Sequence, residues 1–309
     1  MSTATDRRPF VHPALFYRGE EQYAAGTLQF VRDGLAAGEP VAVAVPGPRL
    51  DLIRAGLGAG AAGVRFLDMT EVGRNPGRII PGVLRAFADA HPGGRVRIIG
   101  EPIWPGRTAV EYPACVQHEA LINSAFEGRE LTILCPYDAD RLAPRVLADA
   151  RATHPLVVDG DGQLAAGAYD PEQIIARYNE PLVHPPGAAS LAFDTGELPK
   201  SRWFAVQEAE RLGLTGTRLQ DLALAVAELT TNSVLHGGGS GTLRIWAEGE
   251  QLVCEVEDRG RLTDPLAGRR PASRDLPGGR GLLLVHSVAD LVRVHTAPSG
   301  TTIRFYLAR

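Results

Sequence analysis

The stretch Asp221–His236, DLALAVAELTTNSVLH, decides the fold of the second half of the chain. Its carboxylate and carboxamide residues, Glu228 and Asn232, stand four positions apart, which places them one turn apart on one side of a helix. A neighbouring stripe of apolar residues at helical spacing predicts that this helix packs on a core: Leu219, Leu222, Val226 and Leu229. We therefore expect both polar groups at one edge of the surface that the helix covers.

Two short motifs follow the predicted helix, and together with it they match what an adenine nucleotide requires. The Asn232 side-chain oxygen can ligate a divalent cation. Asp258, in the turn Asp258–Gly260, can accept a hydrogen bond from the adenine amino group. Gly278–Leu282 (GGRGL) is a glycine turn before a predicted helix, and backbone N–H groups at a helix N-terminus bind phosphates. Each signal is weak alone, but their order along the chain favours a site for ATP and Mg²⁺.

Other residues near these motifs have two readings each. His236, before Gly237–Gly239, is either a helix end or a phosphate contact, and Arg280 is either a charge partner of phosphate or a solvated loop residue. The segment Arg261–Pro277 is the expected ATP lid; it contains Arg269, Arg270 and Arg274 and is expected to be mobile without nucleotide.

Strands and helices around the motifs predict a two-layer sandwich. A strand at Leu191–Asp194 and a helix at Leu198–Leu212 precede the central helix. Two predicted hairpins follow, with turns at Glu248–Glu250 and Pro298–Gly300, and helices on one face of an antiparallel sheet form two layers.

The first half alternates predicted strands with predicted helices, which is typical of a parallel α/β sheet. The predicted strands are 40–46, 64–68, 96–100 and 131–137. Ligands bind such sheets beyond the carboxyl ends of the strands. The densest group of polar and aromatic residues in this half comprises Glu101, Trp104, Glu111, His118 and Glu119. These residues are either a ligand site or ordinary packing and helix-surface residues, and the sequence leaves both interpretations open.

Length and composition set further limits. The 309 residues predict two domains, which we place at 1–180 and 191–309, joined by a proline-rich linker at 181–190. A formal charge of −4 argues against direct nucleic-acid binding, and no apolar run is long enough for a membrane helix. The three cysteines, Cys115, Cys135 and Cys254, follow no zinc-binding spacing, so we expect a reduced, cytoplasmic setting.

Several short blocks in the first half resemble the MEDS sensory domain, over roughly residues 10–155. They include Gly34–Val41 (GLAAGEPV), Gly100–Trp104 (GEPIW) and Leu134–Asp138 (LCPYD), and His12 and Tyr17 match the opening pattern of the family. The resemblance implies an α/β fold related to RecA-type ATPases and a role in sensing an unknown small molecule. We therefore expect a sensory ligand site built from His12, Tyr17, Glu101, Trp104, His118 and Glu119.

The second half, from about residue 190, resembles the GHKL ATPases, which have the Bergerat-type sandwich. Glu228–His236 is similar to their N-box, Asp258–Gly260 to their G1 box and Gly278–Leu282 to their G2 box. The resemblance implies Asn232 as Mg²⁺ ligand and Glu228 as catalytic base. It also implies nucleotide contacts from a wider set of residues: Asn232, His236, Asp258, Gly260, Gly279, Arg280, Gly281, Leu282 and Thr301.

Within this family the chain most resembles the anti-sigma-factor serine/threonine kinases, which phosphorylate an anti-anti-sigma (STAS-type) partner and sequester a sigma factor. By family analogy alone, a homodimer is plausible. No helical hairpin with an acceptor histidine precedes the ATP domain, because His184 lies in the proline-rich linker. Two alternatives remain: an ATP-binding anti-sigma module without phosphotransfer, and a histidine-kinase-like sensor.

Overall fold

The computed structural model describes residues 10–160, 162–272 and 279–309, and of Gln163 only the main chain. The chain forms two compact units. The first comprises the residues up to Gly73 together with Ile79–Tyr178, and the second comprises Arg74–Arg78 together with Asn179–Arg309. Among the described residues, none of the helices combines the length and the apolar character needed to cross a bilayer.

The first unit alternates strands and helices along its whole length. Its strands are β1 Phe10–Val11, β2 Pro13–Tyr17, β3 Val41–Val45, β4 Val64–Asp68, β5 Val96–Gly100, β6 Leu131–Asp138, β7 Leu156–Asp159 and β8 Gly162–Ala165. Its α-helices are α1 Gly19–Ala36, α2 Gly47–Leu57, α3 Met69–Val72, α4 Ala86–Asp89, α5 Tyr112–Ala125, α6 Pro144–Thr153 and α7 Pro171–Arg177. A π-helical stretch, Ile80–Arg85, leads directly into α4.

These strands form one sheet in the order β4-β3-β5-β6-β2-β7-β8, with β1 also paired to β6. All pairings are parallel except that of β7 with β8. The predicted parallel α/β fold of the first half is therefore confirmed. The sequence indicated four strands and left the segment that begins at Ala14 as either a short strand or a loop. The structure has strand β2 there, buried at every position between β6 and β7, and adds further strands.

The second unit has two layers. Its strands are β9 Ala189–Asp194, β10 Ser240–Glu248, β11 Gln251–Asp258, β12 Leu291–Ala297 and β13 Gly300–Ala308, and its helices are α8 Leu198–Arg211, α9 Thr217–His236 and α10 Gly281–Val288. The strand order is β12-β13-β11-β10-β9, and every neighbouring pair is antiparallel. The predicted sandwich of helices on an antiparallel sheet is thereby confirmed.

Helix α9 carries much of the core of this unit. Its apolar stripe is fully buried, as helical periodicity predicted, at Leu222, Val226 and Leu229. The stripe packs with buried residues of the sheet and of the two other helices, among them Phe305 of β13 and Val285 of α10. Burial of this stripe fixes the rotation of α9, and that rotation sets where its polar residues point.

The short segment Arg74–Arg78 packs within the second unit although it is remote from it in sequence. The Asn75 side-chain amide donates hydrogen bonds to the carbonyl oxygens of His286 (2.9 Å) and Ala289 (3.3 Å) at the end of α10. Gly77 lies so close to the His286 ring that an added Cβ would be 1.9 Å from Nδ1. The segment thus satisfies carbonyl groups that a helix C-terminus leaves without intrahelical partners.

Candidate functional site

The polar face of α9 meets the N-terminus of α10. Glu228 and Asn232 are both half-buried. A Cβ added to Gly281, the first residue of α10, would lie 2.6 Å from Glu228 Oε2 and 3.1 Å from Asn232 Nδ2. Only a glycine permits this approach, so the chain brings a carboxylate, a carboxamide and a helix N-terminus to one place.

Asp258, the last residue of β11, has both carboxylate oxygens oriented by the protein. Oδ1 accepts a hydrogen bond from the Gly260 N–H (2.8 Å), and Oδ2 accepts one from the Ser233 hydroxyl (2.6 Å). Gly237 leaves room for the carboxylate, since an added Cβ there would lie 2.4 Å from Asp258 Cγ. The carboxylate is therefore held in one orientation, with further lone pairs available to accept from a ligand.

The turn after Asp258 is packed directly against the end of α9. A Cβ added to Gly260 would lie 2.5 Å from the His236 carbonyl oxygen and 2.7 Å from Gly237 Cα. The Arg259 N–H also donates to the Gly237 carbonyl (3.1 Å). Gly260 is thus required by close backbone contact, and this contact joins the two motifs that the sequence placed in one site.

The Thr301 hydroxyl holds the same turn from the other side. It donates to the Gly260 carbonyl (2.9 Å) and accepts from the Leu262 N–H (3.2 Å). Thr296 lies beside it, with the two hydroxyl oxygens 2.9 Å apart. Thr301 therefore positions the backbone that follows Asp258; its predicted contact with phosphate stays a prediction.

A cavity of about 570 Å³ opens between these elements, within the size range of ligand pockets. Every predicted cofactor-binding residue lines it: Asn232, His236, Asp258, Gly260, Gly279, Arg280, Gly281, Leu282 and Thr301. Leu262, Leu266 and Ile303 add apolar surface to its wall. Glu228 is not among the described lining residues and lies at the edge of the site, against Gly281.

The described part of the expected lid, residues 261–272, forms one wall of this cavity. Gly268, at φ +71°, packs against Leu282, and Leu266 is buried. Burial acts to raise the pKa of Asp264, but hydrogen bonds from Arg270 and from the Leu266 N–H outweigh it, so that pKa lies below its ordinary value. Gly278, Arg274 and the rest of residues 273–278 lie outside the described residues, and the expected mobility of the lid stays a prediction.

The arrangement fits a magnesium nucleotide. The first N–H groups of α10 are available to an anion, since a helix N-terminus leaves them without intrahelical acceptors. Asn232 offers a neutral oxygen ligand beside them, and Asp258 offers an oriented acceptor in the same cavity. Arg261, Arg270 and Arg280 also line the cavity and add positive charge. A glycine at position 281 lets the Glu228 and Asn232 side chains lie directly against the start of α10.

Two of the expected sensory residues lie at the carboxyl edge of the first unit's sheet. Tyr17 ends β2, and Glu101 follows β5. The Tyr23 hydroxyl donates to Glu101 Oε2 (3.1 Å), and the Arg49 guanidinium lies 4.3 Å from the centre of the Tyr23 ring. Burial raises the pKa of Glu101 to about 8, although the nearby charge of Arg49 opposes the shift.

The other expected sensory residues lie elsewhere. His12 and Glu119 meet at 3.3 Å in a separate buried cluster, together with Cys135 and His154. Trp104 is half-buried, with the Arg107 guanidinium 4.0 Å from its ring centre. His118 is buried on α5. The six residues are thus distributed over several places. His154, which belongs to the same cluster as His12 and Glu119, was not among the residues that the sequence indicated.

Comparison with known families gives each half of the chain a match. Residues 11–155 match the MEDS model, described as MEthanogen/methylotroph, DcmR Sensory domain, and residues 191–307 match the histidine kinase-like ATPase domain. The chain is a MEDS domain followed by a histidine kinase-like ATPase domain.

Part of the chain is also similar to a protein kinase. The serine-protein kinase RsbW of Halalkalibacterium halodurans is 32% identical over 98 residues, which cover 28% of this chain and 60% of RsbW. The chain therefore spans less than two thirds of the length of this relative.

Two solved structures also match. One contains the RsbU and RsbW domains of Rv1364c from Mycobacterium tuberculosis (17% identity, TM-score 0.31, covering 40% of this chain and 33% of that chain). The other is the histidine kinase AdeS of Acinetobacter baumannii (14% identity, TM-score 0.25, covering 39% and 67%).

Proposed function

We propose that the ATPase domain is an ATP- and Mg²⁺-dependent protein kinase of the anti-sigma-factor type. Its substrate is a serine or threonine hydroxyl of an anti-anti-sigma (STAS-type) protein, and its second partner is a sigma factor. The MEDS domain controls this activity by binding a small molecule. The observation that carries the proposal is the meeting of Glu228, Asn232 and Gly281 beside a cavity that also contains Asp258.

The geometry of the cavity supports nucleotide binding. The oriented Asp258 carboxylate accepts a hydrogen bond from the adenine amino group, while Leu262 and Ile303 provide apolar contact for the base. The N-terminus of α10, with the turn at Gly279, receives the phosphates. Asn232 would hold Mg²⁺, which when bound neutralises phosphate charge.

Phosphoryl transfer requires that the attacking hydroxyl be positioned and its proton accepted. Glu228 stands one helical turn from Asn232 and against the first residue of α10, where the terminal phosphate would lie. Its carboxylate is therefore the group that aligns the partner's hydroxyl and accepts the proton. This assignment gives Glu228 a role in transfer and a small role in nucleotide binding.

A serine or threonine acceptor is favoured over a histidine acceptor within this chain. Residues 179–188, which precede β9, contain no helix, so the described chain has no helical hairpin there to present a phosphorylated histidine. The similarity to a protein named serine-protein kinase points the same way. The competing function is a binding module in which ATP stabilises the partner-docking surface and no phosphate is transferred.

Labelled ATP distinguishes these functions. The whole chain is incubated with Mg²⁺, γ-labelled ATP and an anti-anti-sigma protein, alongside Glu228→Ala and the control Glu210→Ala, which removes an exposed carboxylate of α8. We expect acid-stable label on the partner with the unaltered chain and the control, and a loss of at least 100-fold with Glu228→Ala. Undiminished label with Glu228→Ala refutes the catalytic assignment. Nucleotide binding without any transfer supports the binding module, and acid-labile label on this chain supports a histidine kinase.

A further inference from the structure

Four potential metal ligands converge in the interior of the MEDS domain, in a cluster separate from Tyr17 and Glu101 at the carboxyl edge of its sheet. They are His12 between β1 and β2, Glu119 on α5, Cys135 on β6 and His154 after α6. Their relative exposures are 0%, 0%, 1% and 0%, and their ligating atoms all lie within 4.8 Å of one another. The spacing of these residues along the sequence could not indicate the cluster, because each residue comes from a different part of the fold.

Hydrogen bonds fix the tautomer of His12. The Asn123 amide nitrogen donates to the carbonyl oxygen of Thr153 (2.8 Å) and to that of Ala120 (3.1 Å), so its oxygen is the atom that faces the His12 ring. His12 Nδ1 lies 3.2 Å from that oxygen and must carry the hydrogen. A neutral His12 therefore presents a bare lone pair at Nε2.

His154 is oriented in the same way. Its Nδ1 lies 2.8 Å from the Ala150 carbonyl oxygen, which can only accept, so this nitrogen also carries the hydrogen. The Nε2 atoms of His12 and His154 then point their lone pairs at one carboxylate oxygen, Glu119 Oε2, at 3.3 and 3.2 Å.

Three acceptors that face one another are unfavourable unless a proton or a metal cation lies between them. Apart from contacts within this cluster, the described residues offer no hydrogen-bond partner to either oxygen of Glu119 or to His154 Nε2. Cys135 Sγ completes the group at 3.4 Å from His12 Nε2. The donor set is therefore two imidazole nitrogens, one carboxylate oxygen and one sulfur, which suits tetrahedral Zn²⁺.

The spacing of the ligands matches such an ion. With zinc–nitrogen and zinc–oxygen bonds of about 2.0–2.1 Å, a tetrahedral site has ligand–ligand edges of about 3.3–3.4 Å, and about 3.6 Å to sulfur. Three of the six ligand–ligand distances have these values: the nitrogen–oxygen distances are 3.3 and 3.2 Å, and one nitrogen–sulfur distance is 3.4 Å. The other pairs lie within 4.8 Å, so the ligands would move slightly closer together around the ion. The hydrogen bonds at both Nδ1 atoms are the outer contacts that usually orient metal-binding histidines.

We propose that His12, Glu119, Cys135 and His154 form a Zn²⁺ site that ties the β1–β2 junction, α5, β6 and the end of α6 together. Four protein ligands leave no open position, so the site is structural and stabilises the MEDS domain. On binding, the metal replaces the proton of the Cys135 thiol, and the sulfur binds as a thiolate. The proposal concerns the MEDS domain alone and does not depend on kinase activity.

Metal content of the whole, untagged chain tests the site. We expect about one zinc per chain, lost on denaturation with a chelator, and a lower Tm of the metal-depleted protein that zinc restores. Refolding with Co²⁺ should give intense tetrahedral d–d absorption and a thiolate-to-cobalt charge-transfer band. Cys135→Ser should abolish the charge-transfer band, while Cys115→Ser, which alters a buried cysteine outside the cluster, should retain it.

The opposite results overturn the proposal. A folded chain that binds neither zinc nor cobalt, with a Tm that chelators do not change, would mean that a proton alone bridges the histidines and Glu119. A charge-transfer band that survives in Cys135→Ser would place the sulfur ligand elsewhere. If Cys135→Ser does not fold, His154→Gln gives the second test: zinc bound as tightly as in the unaltered chain refutes the site.

Discussion

The Ser233 hydroxyl donates to Asp258 Oδ2 at 2.6 Å, which links α9 to the end of β11 at the floor of the nucleotide cavity. Ser233 is buried and lies one residue after Asn232. Its bond to an ionised acceptor is of the stronger, charge-assisted kind. The same helix that carries Glu228 and Asn232 therefore also sets the orientation of the proposed adenine acceptor.

Ser233→Ala should weaken ATP binding about 5- to 10-fold, because the loss of one hydrogen bond costs about 1–1.5 kcal/mol. Titration of the whole chain with a fluorescent ATP analogue measures the change in Kd. Ser287→Ala is the matched control. The Ser233 hydroxyl lies 3.1 Å from the Leu229 carbonyl oxygen one turn back, and the Ser287 hydroxyl bonds the Leu283 carbonyl in the same way (2.8 Å), but Ser287 is exposed on α10. Equal Kd values for both variants would show that Ser233 does not orient Asp258.

Gly281→Ala should abolish phosphoryl transfer and reduce ATP affinity at least 10-fold. The new methyl group would lie 2.6 Å from Glu228 Oε2, so the carboxylate would have to move from its position at the phosphate end of the site. Labelled phosphate transfer and ATP binding are measured side by side. Gly187→Ala provides the comparison, because a Cβ there meets nothing within 4 Å. Full activity of Gly281→Ala would contradict the placement of the phosphates.

Thr301→Val should lower both the stability of the ATPase domain and its affinity for ATP. Valine preserves the volume but removes the hydroxyl that the Gly260 carbonyl accepts from, whereas the Leu262 N–H keeps the Thr296 hydroxyl as its acceptor. The expected loss is that of one hydrogen bond, about 0.5–1.5 kcal/mol. Thr301→Ser keeps the hydroxyl and should restore most of both quantities. Thermal melts with and without ATP report them, and a valine variant as stable as the serine variant would refute the role.

The buried carboxyl of Glu101 should make the MEDS domain less stable as pH rises. The folded-state pKa is about 8, raised by burial, whereas the unfolded value is the ordinary one. Between these two pH values the folded state holds one proton more than the unfolded state. The free energy of unfolding therefore falls with rising pH, by up to about 1.4 kcal/mol per unit.

Glu101→Gln cannot ionise and should not show this loss. We expect the Tm of the variant minus that of the unaltered chain to increase from pH 5 to about pH 8 and then to level off. Asp51→Asn, which removes a carboxylate with 80% side-chain exposure, should give a difference that stays flat over this range. A flat difference for Glu101→Gln as well would show that Glu101 is ionised in the fold throughout.

Sequence periodicity predicted the layers of both domains, because burial of one face of a helix or strand requires apolar residues at a regular spacing. The apolar stripe of α9 and the short apolar strands of the first sheet are examples of such patterns. Strand β2 was ambiguous, since Pro13–Tyr17 is short and followed at once by α1. Its place between β6 and β7 depends on pairings with residues more than a hundred positions away.

The motifs of the nucleotide site were predictable for a similar reason: each is local, and a helix turn or a glycine loop fixes its geometry. Ser233 and Thr296 gave no such signal, because their roles arise from contacts across the sandwich. The four residues of the proposed zinc site also share no local pattern. Long-range convergence of this kind becomes visible only in three dimensions.

The docking of Asn75 on α10 affects how the protein can be divided for experiments. A recombinant fragment that begins at residue 179 encodes every strand of the second sheet, yet it lacks the side chain that binds the His286 and Ala289 carbonyls. It also lacks Gly77, which covers the His286 ring. Because α10 begins at the glycine turn of the nucleotide cavity, such a fragment would understate the ATP affinity of the whole chain, and supplying residues 74–78 as a peptide should partly restore it.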